Sequence, residues 1–309
     1  MRIAVTGGAG FIGGHIAIYL AEKGFDVVVI DNLERCNEYI VSLLENHGIP
    51  IVKADVRSFE CCGGFNIVIH TAAYINVAES MERPVEYLDN NVIGVARIAH
   101  GCIKAGCKLI YTSSASVYGN PVKLPISEEH PINPLSPYGL SKYLGELVIK
   151  HFEKIYNLKH IILRLFNVYG PGQSGAYAGV VGAFIERALR NKPLVIYGDG
   201  NNTRDFVYVK DVAEVIYRFI NKDMITGDVY NVGTGVSTSI KELALLVKRL
   251  VNRDVDIIYE AERPGDIKNS YADNRKLISA INMVFTPLET GLRYTIDSMK
   301  GYMLIDRGN

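Results

Sequence analysis

The chain has 309 residues, 48% of them hydrophobic, which excludes a disordered or fibrous protein and suffices for one large domain or two smaller ones. Lys plus Arg and Asp plus Glu both number 33, so a formal net charge of zero offers no long-range attraction to nucleic acid or an anionic membrane. The N-terminus, MRIAVTGGAGF, carries no cleavable signal, and no apolar run nears the roughly 18 residues of a membrane span, which predicts a soluble cytoplasmic protein.

Arg2–Thr6 reads as a buried strand and Ile12–Lys23 as the helix after it, stopped by a glycine cap at Gly24. Strands follow at Asp26–Asp31, Ile51–Ala54 and Asn66–His70, then a helix at Pro84–Ala105, a strand at Lys108–Ser113, a helix at Tyr138–Tyr156 and a strand at His160–Phe166. Strands this apolar are buried on both faces. Alternation with helices therefore predicts an α/β fold, a Rossmann-type doubly wound parallel sheet with helices on both faces. After Gly170-Pro171-Gly172 the pattern shortens. A strand at Phe206–Val209, a helix from Asp211 and a strand at Asp228–Val232 come next, and the tail offers a helix at Ser239–Val251, a strand near Val255–Tyr259 and a turn at Pro264-Gly265. Residues 1–168, with 206–235 returning to them, are expected to form the dinucleotide-binding domain, and 169–205 with 236–309 a smaller C-terminal α/β substrate region.

Five cysteines (Cys36, Cys61, Cys62, Cys102, Cys107) form no C-x-x-C pair, and seven scattered histidines show no ligand spacing, so neither disulfides nor a metal site are expected. The adjacent Cys61-Cys62 has no explanation in the sequence.

Gly7, Gly10 and Gly13 in T-G-G-A-G-F-I-G sit between the first strand and helix, where missing β-carbons let the backbone turn tightly and helix amides meet a pyrophosphate. Asp31 ends the second strand, 18 residues after Gly13, where a carboxylate accepts from adenosine ribose hydroxyls and repels a 2′-phosphate. NAD is therefore expected over NADP. Asp55-Val56 is placed to cap the adenine, and H-T-A-A (His70–Ala73) brings small residues beside the cofactor, with His70 itself read as a packed residue.

Tyr138-Gly139-Leu140-Ser141-Lys142 opens a predicted helix, so i, i+4 spacing sets phenol and ammonium on one face. A nearby positive charge favours phenolate, which predicts a tyrosine pulled below its free value of about 10 and fit to act as a general base. Ser114, in T-S-S-A-S-V-Y-G at a strand end, is placed to share the proton, whereas Ser113 and Ser116 read equally well as turn residues.

With these residues in view, the chain resembles the extended short-chain dehydrogenase/reductase family of NAD-dependent nucleotide-sugar epimerases and dehydratases, nearest the UDP-glucose 4-epimerase type. The likeness runs through T-G-G-A-G-F-I-G, D-N-L, H-T-A-A, N-N-V-I-G, T-S-S-A-S-V-Y-G, S-P-Y-G-L-S-K, R-L-F-N-V-Y-G-P, G-D-G-x-x-T-R-D-F-V-Y-V, N-V-G-T-G and R-P-G-D. It implies NAD contacts at Gly7, Gly10, Phe11, Ile12, Gly13, Asp31, Asn32, Asp55, Val56, Ala72, Asn91, Tyr138, Lys142 and Phe166. It implies a catalytic triad of Ser114, Tyr138 and Lys142, and UDP-sugar contacts at Ser114, Tyr138, Asn167, Arg204, Arg263 and Asp266, the two arginines on the diphosphate and Asp266 on the ribose. Sequence leaves open that Arg204 pairs with Asp205, or Arg263 with Glu262.

Related 4,6-dehydratases carry T-D-E-V-Y-G where this chain has Ser114-Ala115-Ser116, and uronate decarboxylases carry a Glu at the place of Ser116. Without that acid pair, elimination is disfavoured and 4-epimerisation of a UDP-hexose through a 4-keto intermediate is implied. In the epimerases that the chain resembles, the residue four positions beyond the R-P-G-D aspartate limits the room beside the sugar 2-substituent; here that residue is Ser270, whose small side chain implies space for an N-acetylhexosamine. Other readings are a UDP-uronate 4-epimerase, a 4-reductase, or a non-catalytic NAD-binding regulator. Helices Pro84–Ala105 and Tyr138–Tyr156 carry apolar residues on more than one face, which predicts a homodimer through a four-helix interface.

Overall fold

The computed structural model describes residues 1–59, 63–173, 179–262 and 266–305; Cys61, Cys62, Arg263 and the Pro264-Gly265 turn lie outside them. The first six strands are β1 (Arg2–Thr6), β2 (Asp26–Asp31), β3 (Ile51–Lys53), β4 (Ile67–His70), β5 (Lys108–Ser114) and β6 (His160–Leu165). After them come β7 (Asn167–Tyr169), β8 (Leu194–Tyr197), β9 (Thr203–Arg204), β10 (Phe206–Tyr208), β11 (Val229–Val232), β12 (Thr238–Ser239), β13 (Ile257–Glu260) and β14 (Asn269–Ser270). Seven of these make one parallel sheet in the order β11-β6-β5-β4-β1-β2-β3. Strand order reverses between β1 and β4, and the crevice beyond their C-terminal ends is where an open α/β sheet takes a ligand.

The helices are α1 (Phe11–Glu22), α2 (Glu38–Asn46), α3 (Val77–Glu82), α4 (Pro84–Leu88), α5 (Gly94–Ala105), α6 (Pro137–Tyr156), α7 (Val180–Leu189), α8 (Val209–Asn221), α9 (Ile240–Val251), α10 (Arg275–Ile281) and α11 (Leu288–Ile305). Strand side chains alternate between the faces, so each strand feeds two cores. Ile3, Val5, Ile69 and Ile110 pack with Ile16 and Leu20 of α1 and Ile216 and Phe219 of α8. Ala4, Val68, Leu109 and Tyr111 pack on the opposite face with Ile98 of α5 and Ile149 of α6. A third core joins Phe184 of α7, Ile196 of β8, Leu243 of α9 and Leu292 of α11. Small sheets complete the fold: β7 beside β10, β8 beside β13, and β12-β9-β14.

The structure differs from the sequence expectation in three places. The helix expected over Pro84–Ala105 is α4 and α5 joined by one π turn, Asp89–Ile93, in which Asn90 and Asn91 are buried. Helices α2, α3 and α7 were not expected, being short or flanked by irregular chain. The tail holds α10 and α11 besides α9.

Candidate active site

A cavity of about 920 Å³ lies at the switch point and runs from Asp31 and Val56 at one end to Ser114, Tyr138 and Lys142 at the other. Its floor is the glycine turn. Gly7 has φ +69°, and a Cβ there would sit 2.5 Å from Ala72 Cα, so β1 and β4 approach each other only because position 7 has no side chain. A Cβ on Gly13 would sit 2.4 Å from both Gly7 O and Thr71 Oγ1. Gly10 caps α1 and brings no capping side chain, leaving the first-turn amides of Phe11, Ile12 and Gly13 to face the cavity they line.

Asp31 lies in the wall with each carboxylate oxygen taking one backbone N–H: Oδ2 from Ala9 at 3.1 Å, Oδ1 from Leu33 at 2.8 Å. Burial pushes its pKa up while these two bonds pull it down. Its spare lone pairs can accept further hydroxyls. Asn32, Val56, Ala72 and Phe166 also line the cavity.

Two expected cofactor contacts, Asp55 and Asn91, are not among the residues of the wall. Asp55 is not in the wall; its Oδ2 accepts from Arg57 Nη2 at 2.6 Å, which holds the carboxyl down at about 2, and from Asn32 Nδ2 at 3.4 Å. Asn91 is likewise outside it, its amide spent on Tyr74 N at 2.8 Å, Tyr74 O at 3.0 Å and Ser141 Oγ at 2.8 Å. Asn90, its neighbour in N-N-V-I-G, lines the cavity instead. Sequence reading also missed Arg35, Tyr39 and Gln173 in the wall. They come from loops and from α2, which carry no motif.

Ser114 ends β5 and Tyr138 sits in the first turn of α6, capped by Ser136 through Gly139 N at 3.1 Å. The Ser114 hydroxyl is hydrogen-bonded to Tyr138 and donates to Ser116 Oγ at 3.0 Å. Lys142 is 4% exposed and donates to Thr112 O at 2.9 Å. Burial pulls Lys142 down to about 7, against the field of Glu146. The expected depression of Tyr138 does not occur here: burial pushes the phenol above its ordinary value, and the bond from Ser114 is the one opposing influence. Lys142 is buried and Tyr138 half-buried at the cavity wall, and loss of water around each penalises its charged form. Ser113 is no turn residue; its hydroxyl donates to buried Glu146 Oε1 at 2.6 Å. His70 is packed, with Nδ1 2.6 Å from Thr6 Oγ1 and its pKa lowered by burial to about 3.

Asn167 on β7 also lines the cavity. Arg204 and Asp266 are outside its wall and pair with each other, Nη2 to Oδ1 at 2.5 Å. Arg204 does not pair with Asp205, which is fully buried and accepts from Thr234 N at 2.8 Å, Gly235 N at 2.9 Å and Ala272 N at 3.1 Å. Ser270 is the register partner of Arg204 across β9 and β14. Arg263 lies outside the described residues.

The sequence pattern of the NAD dependent epimerase/dehydratase family matches residues 3–233. The chain belongs to that family. Family membership makes NAD the cofactor, and the uncapped amides above the glycine turn with a cavity-lining carboxylate at Asp31 are donors and an acceptor that fit a dinucleotide. A UDP-glucose 4-epimerase of Mycolicibacterium smegmatis is 36% identical over 285 residues, covering 89% of this chain and 91% of that protein. Among solved structures of similar proteins, a UDP-N-acetylglucosamine 4-epimerase of Methanobrevibacter ruminantium in complex with UDP-N-acetylmuramic acid superposes with TM-score 0.92 at 34% identity, covering 98% of this chain and 99% of that one. A UDP-glucose 4-epimerase of Thermotoga maritima with UDP-glucose superposes with TM-score 0.91 at 34% identity, covering 98% and 100%.

Proposed function

We propose that this chain is an isomerase that interconverts UDP-glucose and UDP-galactose by NAD-dependent 4-epimerisation through a 4-keto sugar. One observation carries the reading: Ser114, Tyr138 and Lys142 converge on one end of a cavity whose floor is the glycine turn. The strand end beside them offers the hydroxyls of Ser114 and Ser116 and no acid pair for eliminating water.

Tyr138 takes the proton of the sugar 4-hydroxyl, and Ser114 holds that hydroxyl and shares the proton. Lys142, when charged, supplies the field that favours phenolate in a pocket where burial opposes it. NAD, when bound over the glycine turn and beside Asp31, would supply the reversible hydride acceptor that the 4-keto route needs. Asn167, Arg204, Arg263 and Asp266 hold the UDP moiety, the arginines offering planar donor forks to the diphosphate. Here Arg204 is already pinned by Asp266, so it is oriented before substrate arrives.

Incubating the purified protein with UDP-glucose and resolving the products by chromatography tests the reading. UDP-galactose is the expected product, its absence overturns the proposal, and Tyr138→Phe is the control. A second substrate class is favoured by one observation: Ser270, with its small side chain, lies beside Arg204. UDP-N-acetylglucosamine is therefore also a substrate, and a side-by-side assay showing turnover of UDP-glucose alone refutes this.

The working assembly is a homodimer through the helices of Pro84–Ala105 and Tyr138–Tyr156. Val85, Leu147 and Ile155 on these helices are exposed, Val85 by 75%, which supports a partner covering them. A monomeric mass at micromolar protein removes this reading. No helix among the described residues is long and apolar enough to cross a membrane. The described cysteine Cys36 is a free thiol, which supports the cytoplasm as the compartment.

A further inference from the structure

Directly behind the Tyr138–Lys142 face lies a buried charge cluster to which the proposed reaction assigns no part. Glu146 follows Lys142 by one turn of α6 and is fully buried, and Arg164 on β6 is 3% exposed. Arg164 grips both carboxylate oxygens, Nε to Oε1 at 2.9 Å and Nη2 to Oε2 at 2.7 Å. Ser113, the neighbour of Ser114, donates to Oε1. Nη1 of Arg164 donates to Tyr118 Oη at 2.9 Å, and Tyr118 donates to Asn231 Oδ1 at 2.6 Å.

Such a cluster is a poor device for stability, because desolvating two charges cancels most of their attraction and apolar residues of the same volume do as well. Its position gives it another use. The carboxylate stands at i+4 from Lys142, on the same helix face, and it is the member of the ion pair whose field reaches the ammonium. The other groups facing Lys142 are Tyr138 from α6, the Tyr111 ring at 5.2 Å and the Thr112 carbonyl at 2.9 Å from β5, and His70 from β4, which is neutral at working pH. Among these described neighbours Glu146 alone brings a full negative charge.

We infer that Glu146 is a positioning residue for Lys142: clamped by Arg164 and Ser113, its carboxylate keeps the ammonium charged in a site otherwise too dry to hold it. This rests on the reading that Tyr138 and Lys142 carry the proton chemistry. The ammonium exists below its pKa, so a rate that needs it falls on the basic side, and removing Glu146 moves that fall to lower pH.

The test compares the purified full chain with Glu146→Gln/Arg164→Gln, which removes both charges together and leaves neither buried alone. The basic limb of kcat against pH is expected to move down by about 1 unit. A 15N NMR titration of the Lys142 ammonium, assigned with Lys142→Met, moves the same way. Ser113→Ala loosens the clamp without removing the charge and moves the limb by much less than the double variant does. An unmoved limb and an unmoved titration in the folded double variant overturn the inference, as does an equal shift in Ser113→Ala. Should the double variant not fold, Glu146→Asp, which retracts the carboxylate, is measured for a smaller shift of the same sign, and no shift overturns it. Full turnover by Lys142→Met instead sinks the underlying reading.

Discussion

Arg35 and Glu79 meet as a planar fork on a carboxylate, Nη1 to Oε2 at 2.7 Å and Nη2 to Oε1 at 2.8 Å. The pair ties the loop after β2 to α3, and the guanidinium also lies 3.8 Å from the centre of the Tyr74 ring. On the same loop Asn37 donates from Nδ2 to Gly172 O at 2.6 Å and from its backbone to Ala9 O at 2.9 Å. The segment is thus fastened across the cavity at both sides, over the glycine turn.

That fastening predicts slow escape of the cofactor. Glu79→Ala, which unties one side, is expected to speed NAD release about fivefold. Timed desalting followed by an assay of bound dinucleotide reads the change, and an unchanged release rate shows that the loop bears no load.

Tyr138→Phe is expected to lower kcat by about a thousandfold, within the usual range for a positioned acid/base group, with fold and bound dinucleotide unchanged. Turnover near wild type would show that the proton leaves by another route.

For Arg204, the proposed function predicts that removal of the guanidinium acts on binding and leaves the chemical step alone. Arg204→Gln is expected to raise KM for the UDP-sugar about tenfold while kcat holds, because a charge-assisted bond to phosphate is lost. A drop in kcat with unchanged KM would place Arg204 away from the diphosphate.

Two glycines with positive φ separate backbone strain from close packing. Gly24 has φ +87° and nothing within 4 Å of a built Cβ, so Gly24→Ala costs about 1 kcal/mol of strain alone. Gly7→Ala adds a Cβ 2.5 Å from Ala72 Cα and is expected to cost a further 1–3 kcal/mol, roughly, from overpacking. Urea unfolding of both variants gives the difference, and equal losses would contradict the close approach of β1 and β4.

Stability should fall as pH drops below neutral. Burial lowers His15 to about 4 and His70 to about 3. Below about 6.5 the unfolded chain takes up protons at these positions that the folded chain refuses, so acid favours unfolding. Each histidine contributes a slope of up to about 1.4 kcal/mol per pH unit until its folded pKa is reached. Urea midpoints at pH 7 and pH 5 measure it; equal midpoints would mean that neither ring is held neutral.

The sequence by itself determined the elements whose cause is local. β1, the glycine turn and α1 are written in adjacent residues, because a positive φ at Gly7 and an apolar period need only near neighbours. The same holds for the i, i+4 pair of Tyr138 and Lys142 on α6. What only the tertiary structure decided involves residues far apart in the chain. Arg204 chose Asp266, 62 residues away, over adjacent Asp205, since Asp205 is consumed by three backbone amides, two from the G-T-G loop and one from Ala272. Asn90 rather than Asn91 lines the cavity, a choice that two adjacent asparagines leave open in the sequence and that packing around α4 and α5 makes. Tyr138 keeps a raised pKa for the same kind of reason: spacing sets two groups on one face, whereas the depth of the pocket around them is the sum of many distant chains.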